Sequence, residues 1–282
     1  LFPIPQTHRL LAVGFTMFSI SANQLRIEYP IYDSYKRSLR HQFGLGQIAR
    51  NLDQALKRKH SVGGDITQEA SGRTTITALN GISFDIQEGD RVGLLGHNGS
   101  GKTTLLRAIA GIYEPMDGEI TIEGHVTPLF DIQFGMDTDA TGIENIALRG
   151  RMLDMSSTQI EETIDEIAEF TELGNYLHMP IRTYSTGMMV RLAFGVSTAI
   201  KPEILVLDEM IGAGDDAFFE RAQQRLKNFI EDTGILVIAS HNMGMVRQWC
   251  NKGMLMQHGN ILAFGPIEEI AKRYESGEGT VD

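Results

Sequence analysis

Eight consecutive residues, Gly96-His97-Asn98-Gly99-Ser100-Gly101-Lys102-Thr103, fit the pattern G-x-x-x-x-G-K-[ST]. Glycines at these spacings let the backbone curl so that successive N–H groups point at phosphate oxygens. A helix starting at once afterwards adds its partial positive charge. In this chemistry Lys102 reaches the β/γ-phosphates and the Thr103 hydroxyl helps hold Mg²⁺, with Thr104 one step further on the same turn. A hundred residues later, Ile204-Leu205-Val206-Leu207 runs into Asp208-Glu209. An apolar strand ending in two acids sets both carboxylates at the strand's carboxyl end, where α/β sheets bind ligands. Asp208 suits Mg²⁺ held through water, and Glu209 suits the polarisation of an attacking water. His241, just past the apolar run Ile235–Ala239, belongs on the same edge, within reach of a terminal phosphate. Lys102, Glu209 and His241 are therefore the candidate catalytic residues of a nucleoside-triphosphate hydrolase.

These groups need a scaffold. Val92–Leu95 reads as a buried strand immediately before the glycine-rich turn, and Thr103–Ala110 as the helix after it. Ile204–Leu207 and Ile235–Ala239 are continuous apolar runs, as in parallel strands covered on both faces, with a helix from about Ala217 to Glu231 between them. The alternation implies an α/β fold with a mostly parallel core sheet. Leu25–Pro30 reads as a short strand and a second strand pattern opens at Thr75, with Ile82, Phe84 and Ile86 alternating. Further strands are expected at Glu119–Ile122 and Val126–Phe130, helices through most of 140–178, and a last helix at Ile267–Tyr274. Ser61–Thr75 reads as a polar loop, and residues 34–60 as basic and helical.

Composition bounds the function. The 282 residues carry 25 Lys+Arg against 36 Asp+Glu, a net charge of −11 that argues against a nucleic-acid coat. Residues 1–60 hold nine basic and three acidic side chains, so the rest of the chain is still more acidic. Most of the basic excess lies between Lys36 and His60. Such a run is either a solvated face or a segment that meets anionic headgroups or an acidic partner. The single cysteine, Cys250, leaves no intrachain disulfide. Leu10–Ile20, the most apolar early stretch, has about half of the ~20 residues a spanning helix needs. The chain begins with Leu, as a fragment or misplaced start would, and residues 1–22 read as an uninformative extension.

Tyr184-Ser185-Thr186-Gly187-Met188, ahead of an apolar helix and of the acidic strand, resembles the signature of the ATP-binding cassette (ABC) ATPases, commonly Leu-Ser-Gly-Gly-Gln. Ser185 and Gly187 match; Tyr184, Thr186 and Met188 depart. The resemblance covers about residues 75–270. It implies a P-loop NTPase cassette with a mostly parallel core sheet, an antiparallel β subdomain and a helical signature subdomain at about 140–195. The implied division is an N-terminal strand and basic insertion at 23–75, the ATPase domain at 76–275 and a tail at 276–282. It also implies ATP and Mg²⁺ as ligands, Asp215 as the acid of the loop after Glu209, and Asp131 or Gln133 as a further ligand near Mg²⁺. Tyr29 or Tyr32 would stack on adenine. The departures, with Leu148-Arg149-Gly150 after Glu144-Asn145, Tyr29-Pro30-Ile31-Tyr32 and Arg37-Ser38-Leu39-Arg40, look like the polysaccharide exporters of O-antigen, capsule and teichoic acid. That subgroup implies a homodimer of cassettes peripheral to the cytoplasmic face of the inner membrane. Its partners would be a pair of separately encoded transmembrane permease subunits, and its cargo a lipid-linked polysaccharide. A cassette serving another transported substrate, or a soluble non-transport ABC ATPase, is the alternative.

Overall fold

The computed structural model describes residues 18–31, 65–68, 74–130, 135–152, 155–199, 201–208 and 216–279. Its elements in chain order begin with β1 (Ser19–Ile31), β2 (Asp65–Gln68), β3 (Thr74–Gln87), β4 (Arg91–Leu95) and α1 (Lys102–Ile109). Then come β5 (Asp117–Glu123), β6 (Val126–Pro128), α2 (Gly142–Met152), α3 (Ser157–Thr171) and α4 (Thr186–Ser197). The chain continues through β7 (Ile204–Asp208), α5 (Asp216–Glu231), β8 (Ile235–Ala239) and α6 (Met243–Trp249). It closes with β9 (Lys252–Gln257), β10 (Asn260–Pro266) and α7 (Ile267–Glu275).

Two sheets result. A six-stranded sheet has the order β10-β9-β4-β8-β7-β6, parallel except for the β9–β10 hairpin. A four-stranded antiparallel sheet has the order β2-β3-β1-β5. Strand periodicity divides the core between them. Ile204 and Val206 face the antiparallel sheet and α1, packing with Ile20, Leu79, Phe84 and Leu105. Their neighbours Leu205 and Leu207 face the other way, onto Phe218, Phe229, Val246 and Ile270 of α5, α6 and α7. A third cluster, including Ile146, Ile167, Leu177 and Leu192, is the interior of the helical layer.

Local chemistry explains the helical boundaries. Ser156 and Gln159 form a reciprocal capping box at the start of α3. Thr141 and Glu144 exchange the same pair of bonds before α2, and those bonds hold the Glu144 carboxyl below its usual range. The helical layer is tied to α5 by paired Arg221 and Glu172 and by Arg225, which meets Glu166 at 2.8 Å and lies over the Phe170 ring.

Two sequence expectations need correction. β1 begins at Ser19, six residues before the expected Leu25 and inside the stretch read as an extension. Ile20 and Ala22 alternate into the core, while Gln24 at φ 51° and register shifts after Ala22 break the alternation that would have signalled one long strand. The expected loop Ser61–Thr75 contains β2, which pairs with β3 at the sheet edge. The β9–β10 hairpin had no counterpart in the sequence reading. The basic helical insertion at 34–60 lies outside the described residues.

Candidate active site

Asn98, Lys102, Thr103, Asp208 and His241 converge at the carboxyl ends of β4, β7 and β8. The turn between β4 and α1 is built on glycine. Gly96 has φ 146° and Gly101 φ 106°, and a Cβ on Gly96 would sit 2.3 Å from the Met256 carbonyl oxygen. On Gly101 it would sit 2.8 Å from the Ala78 carbonyl oxygen. Both positions thus require glycine for conformation and for space. The β9–β10 hairpin is the buttress beneath. Its turn, His258 and Gly259, is at positive φ, as a two-residue type I′ connection requires. The Gly259 N–H donates to the Ser100 carbonyl at 3.0 Å, and the Asn80 N–H donates to the Gly259 carbonyl at 2.9 Å. Gly96→Ala should lower the unfolding free energy by about 2–3 kcal/mol, read by urea denaturation; an unchanged midpoint would contradict this packing.

A cavity of about 270 Å³ opens above this turn, lined by Asn98, Gly99, Gly101, Lys102, Thr103 and Thr104, with Asp208, His241 and Tyr29. The Lys102 ammonium donates to the carbonyl oxygens of Gly96 (2.6 Å) and His97 (3.0 Å), so its positive head is held over the turn. Asp208 ends β7 in register with Ala239 of β8, two residues before His241. His241 Nε2 lies 3.2 Å from the Asn98 carboxamide oxygen. Residues 143 positions apart in sequence are therefore in direct contact across the cavity.

Tyr29 closes one end of the cavity. Its hydroxyl donates to Thr104 Oγ1 at 3.3 Å, and its ring meets Tyr113 edge-on at 5.3 Å. Burial pushes the Tyr29 phenol up to about 12, so the hydroxyl stays protonated as a donor. Register explains why Ile76 and Ala78 also line the cavity, since β1 pairs Tyr29 with Ile76. Nothing in the residue pattern near Thr75 would have placed them there.

Gly96, His97 and Ser100 do not line the cavity. The His97 ring lies edge-on to His258 at 5.3 Å, and Ser100 is fully buried. Their contribution is to the shape of the turn. Ser185 and Gly187 sit elsewhere, at the start of α4 in the helical layer. The Ser185 hydroxyl caps that helix by accepting from the Met188 N–H at 3.3 Å. A Cβ on Gly187 would meet nothing nearer than 4.0 Å, so the chain's own packing does not require glycine there. The departure at Tyr184 has a local cause: its hydroxyl donates to the Tyr176 carbonyl at 2.6 Å, over Gly142, where a Cβ would lie 2.6 Å from that hydroxyl. Likewise Asn145 is buried and holds Asp137 and Thr141 through their backbones, and Gly150 lets Ile160 approach. Glu209, Asp215, Asp131, Gln133 and Tyr32 lie outside the described residues.

Cys250 is buried, and burial pushes its thiol up to about 12, which leaves it un-ionised and inert.

A strand–glycine turn–helix with Lys102, Thr103, Asp208 and His241 around one cavity defines a class, the nucleoside-triphosphate-binding cassettes. Residues 79–212 match the family model described as ABC transporter. The chain is 42% identical over 245 residues to the O-antigen export system ATP-binding protein RfbE of Yersinia enterocolitica, covering 87% of this chain and 97% of RfbE. It belongs to the ABC transporter family, as an ATP-binding, ATP-hydrolysing cassette. It is also 35% identical to the teichoic acids export ATP-binding protein TagH of Listeria monocytogenes, over 81% of this chain and 68% of TagH. Against the O-antigen export ATP-binding protein RfbB of Myxococcus xanthus the identity is 37%, and the match spans 73% of this chain but 47% of RfbB. Two solved structures share the fold. One is an ATP-binding subunit of an ABC transporter (TM-score 0.62, 17% identity, 93% of this chain and 95% of that one). The other is a dimeric bacterial ABC transporter cassette (TM-score 0.59, 21% identity, 88% and 98%). Among the described residues no helix is long and apolar enough to cross a membrane.

Proposed function

We propose that this cassette hydrolyses ATP to drive export of a lipid-linked polysaccharide, as one half of a homodimer joined to a separately encoded pair of transmembrane permease subunits at the cytoplasmic face of the inner membrane. The observation that carries the ATPase chemistry is the convergence of Lys102, Thr103, Asp208 and His241 on one cavity. The transported class follows from relatives whose names specify O-antigen and teichoic acid export.

The role of each group follows from its chemistry. The turn's N–H groups and the amino end of α1 receive the phosphates. Lys102, already over the turn, transfers its ammonium from two neutral carbonyls to phosphate oxygens, a charge-assisted exchange. Thr103 and Asp208 present hard oxygen donors to the same space, which suits Mg²⁺, and Asp131 or Gln133 would complete its surroundings. Mg²⁺ when bound neutralises charge developing between the β- and γ-phosphates. Glu209, one residue past Asp208, takes the proton of the attacking water, and His241 donates a hydrogen bond to the γ-phosphate. Tyr29 or Tyr32 supplies an aromatic face for adenine. Ser185 and Gly187, away from the cavity of their own chain, serve the nucleotide of the other cassette. The open space at Gly187 supports this, because a phosphate can approach backbone there. Asp215, six residues after Glu209 in the sequence, would meet the other cassette.

The basic run Lys36–Lys59 is assigned to the membrane side. Reversing Lys57, Arg58 and Lys59 to Glu should weaken co-purification with the permease and reduce surface polysaccharide, while ATP binding stays unchanged. Undiminished assembly and export would remove the segment from this role.

A further inference from the structure

A second cavity among the described residues shares no lining residue with the nucleotide site. It is a groove of about 440 Å³ between α5 and α6, lined by Gln223, Gln224, Asn242, Gln248 and Trp249 with Met245, and by one acid and one base, Glu220 and Lys227. Its volume is within the ~300–1,000 Å³ of small-molecule sites. We propose that it binds a neutral saccharide segment. The lining carries four carboxamides and one indole. A carboxamide offers donor and acceptor together, the complement of a sugar hydroxyl, which is also both. Trp249 is half-buried, packed against the core cluster of α5, α6 and α7 while also lining the groove, where an indole offers apolar surface to the C–H face of a pyranose ring and an N–H donor at its edge.

The same lining disfavours other ligands. An anion would need unshared cations, and Lys227, the groove's basic residue, stands 3.9 Å from the Glu231 carboxylate one helical turn away. An extended peptide would need a strand edge for its backbone, and both walls are helices whose N–H and C=O groups bond internally. Gln224 spends its amide N–H on Asn228 at 2.9 Å, and Asn242 spends its carbonyl on the Met245 N–H at 3.1 Å. The other half of each carboxamide is left for a ligand. Asn242 follows His241 directly, so the groove adjoins the nucleotide cavity through the first turn of α6.

Trp249 is the single tryptophan of the chain, so all tryptophan fluorescence comes from a residue of this groove's lining. Titrating the full chain with linear hexamers of α-glucan, α-mannan and β-galactan should shift the emission with saturation by at least one of them. The double variant Gln223→Ala, Gln248→Ala alters two exposed side chains and keeps the reporter. It should raise the Kd for that hexamer about tenfold or more, as expected for two lost hydrogen bonds, with ATP hydrolysis and thermal midpoint unchanged. No response to any of the three hexamers would overturn the proposal. So would equal affinity in the double variant. Because ATP hydrolysis is measured in parallel, a failure here is separate from a failure of the ATPase reading.

Discussion

Lys102→Ala should raise the Kd for ATP by about two orders of magnitude or more while leaving the fold intact. The ammonium donates to the Gly96 and His97 carbonyls of the turn, and in the proposed mechanism it would donate to phosphate oxygens instead. Hydrogen bonds to charged groups are worth about 1.5–3 kcal/mol each, and each 1.4 kcal/mol is tenfold in affinity. Lys102 itself lines the open cavity, so in the variant water can take the place of its ammonium at the two carbonyls and the stability cost is small. The distinction from Gly96→Ala is the point of the experiment. That substitution deforms the turn and should lower stability and binding together, whereas Lys102→Ala should lower binding alone. Isothermal titration with ATP, beside a urea denaturation curve, separates the two. Unchanged ATP affinity in Lys102→Ala would remove the lysine from phosphate recognition.

The sequence was most legible where one physical requirement fixes several residues at once. The turn at Gly96–Thr103 needs glycine, lysine and threonine at set spacings between a strand and a helix. The structure gives positive φ at Gly96, Gly99 and Gly101 with β4 before and α1 after. Ile204–Leu207 and Ile235–Ala239 were equally clear, because strands buried on both faces leave no room for polar residues. The length of β1 was obscure, since its bulges break the alternation on which a strand reading depends. The β9–β10 hairpin was obscure for a related reason. Its turn is His258-Gly259, where Asn-Gly would have been the usual signal, and both residues still take the positive φ a tight hairpin needs. That omission matters for the site, because Met256 and Gly259 of this hairpin support the phosphate-binding turn from below. Tertiary register decides the rest. No local pattern brings Ile76 beside Tyr29, or the Asn98 carboxamide to His241, and only sheet pairing does so.

The departures from the usual signature also become intelligible as packing. Tyr184 reaches across Gly142 to the Tyr176 carbonyl, so an aromatic at that position and glycine at the start of α2 belong together. Ser185 and Gly187, by contrast, are not explained by their own chain beyond the helix cap. Their exposure at the amino end of α4 is what the dimer of the proposed mechanism requires.

The central claim is that ATP closes two cassettes and that Glu209 triggers their release by activating water. Glu209→Gln keeps the size and a hydrogen-bonding oxygen of the side chain but removes the base, and losing a general base costs about 10²–10⁴-fold in rate. The direct measurement is ATP turnover together with the solution mass of this variant in ATP and Mg²⁺. ATP should bind as in the parent chain, turnover should fall by about a hundredfold or more, and the protein should accumulate as a dimer that disperses when ATP is withdrawn. Turnover at the parent rate, with mass unchanged by ATP, would contradict it.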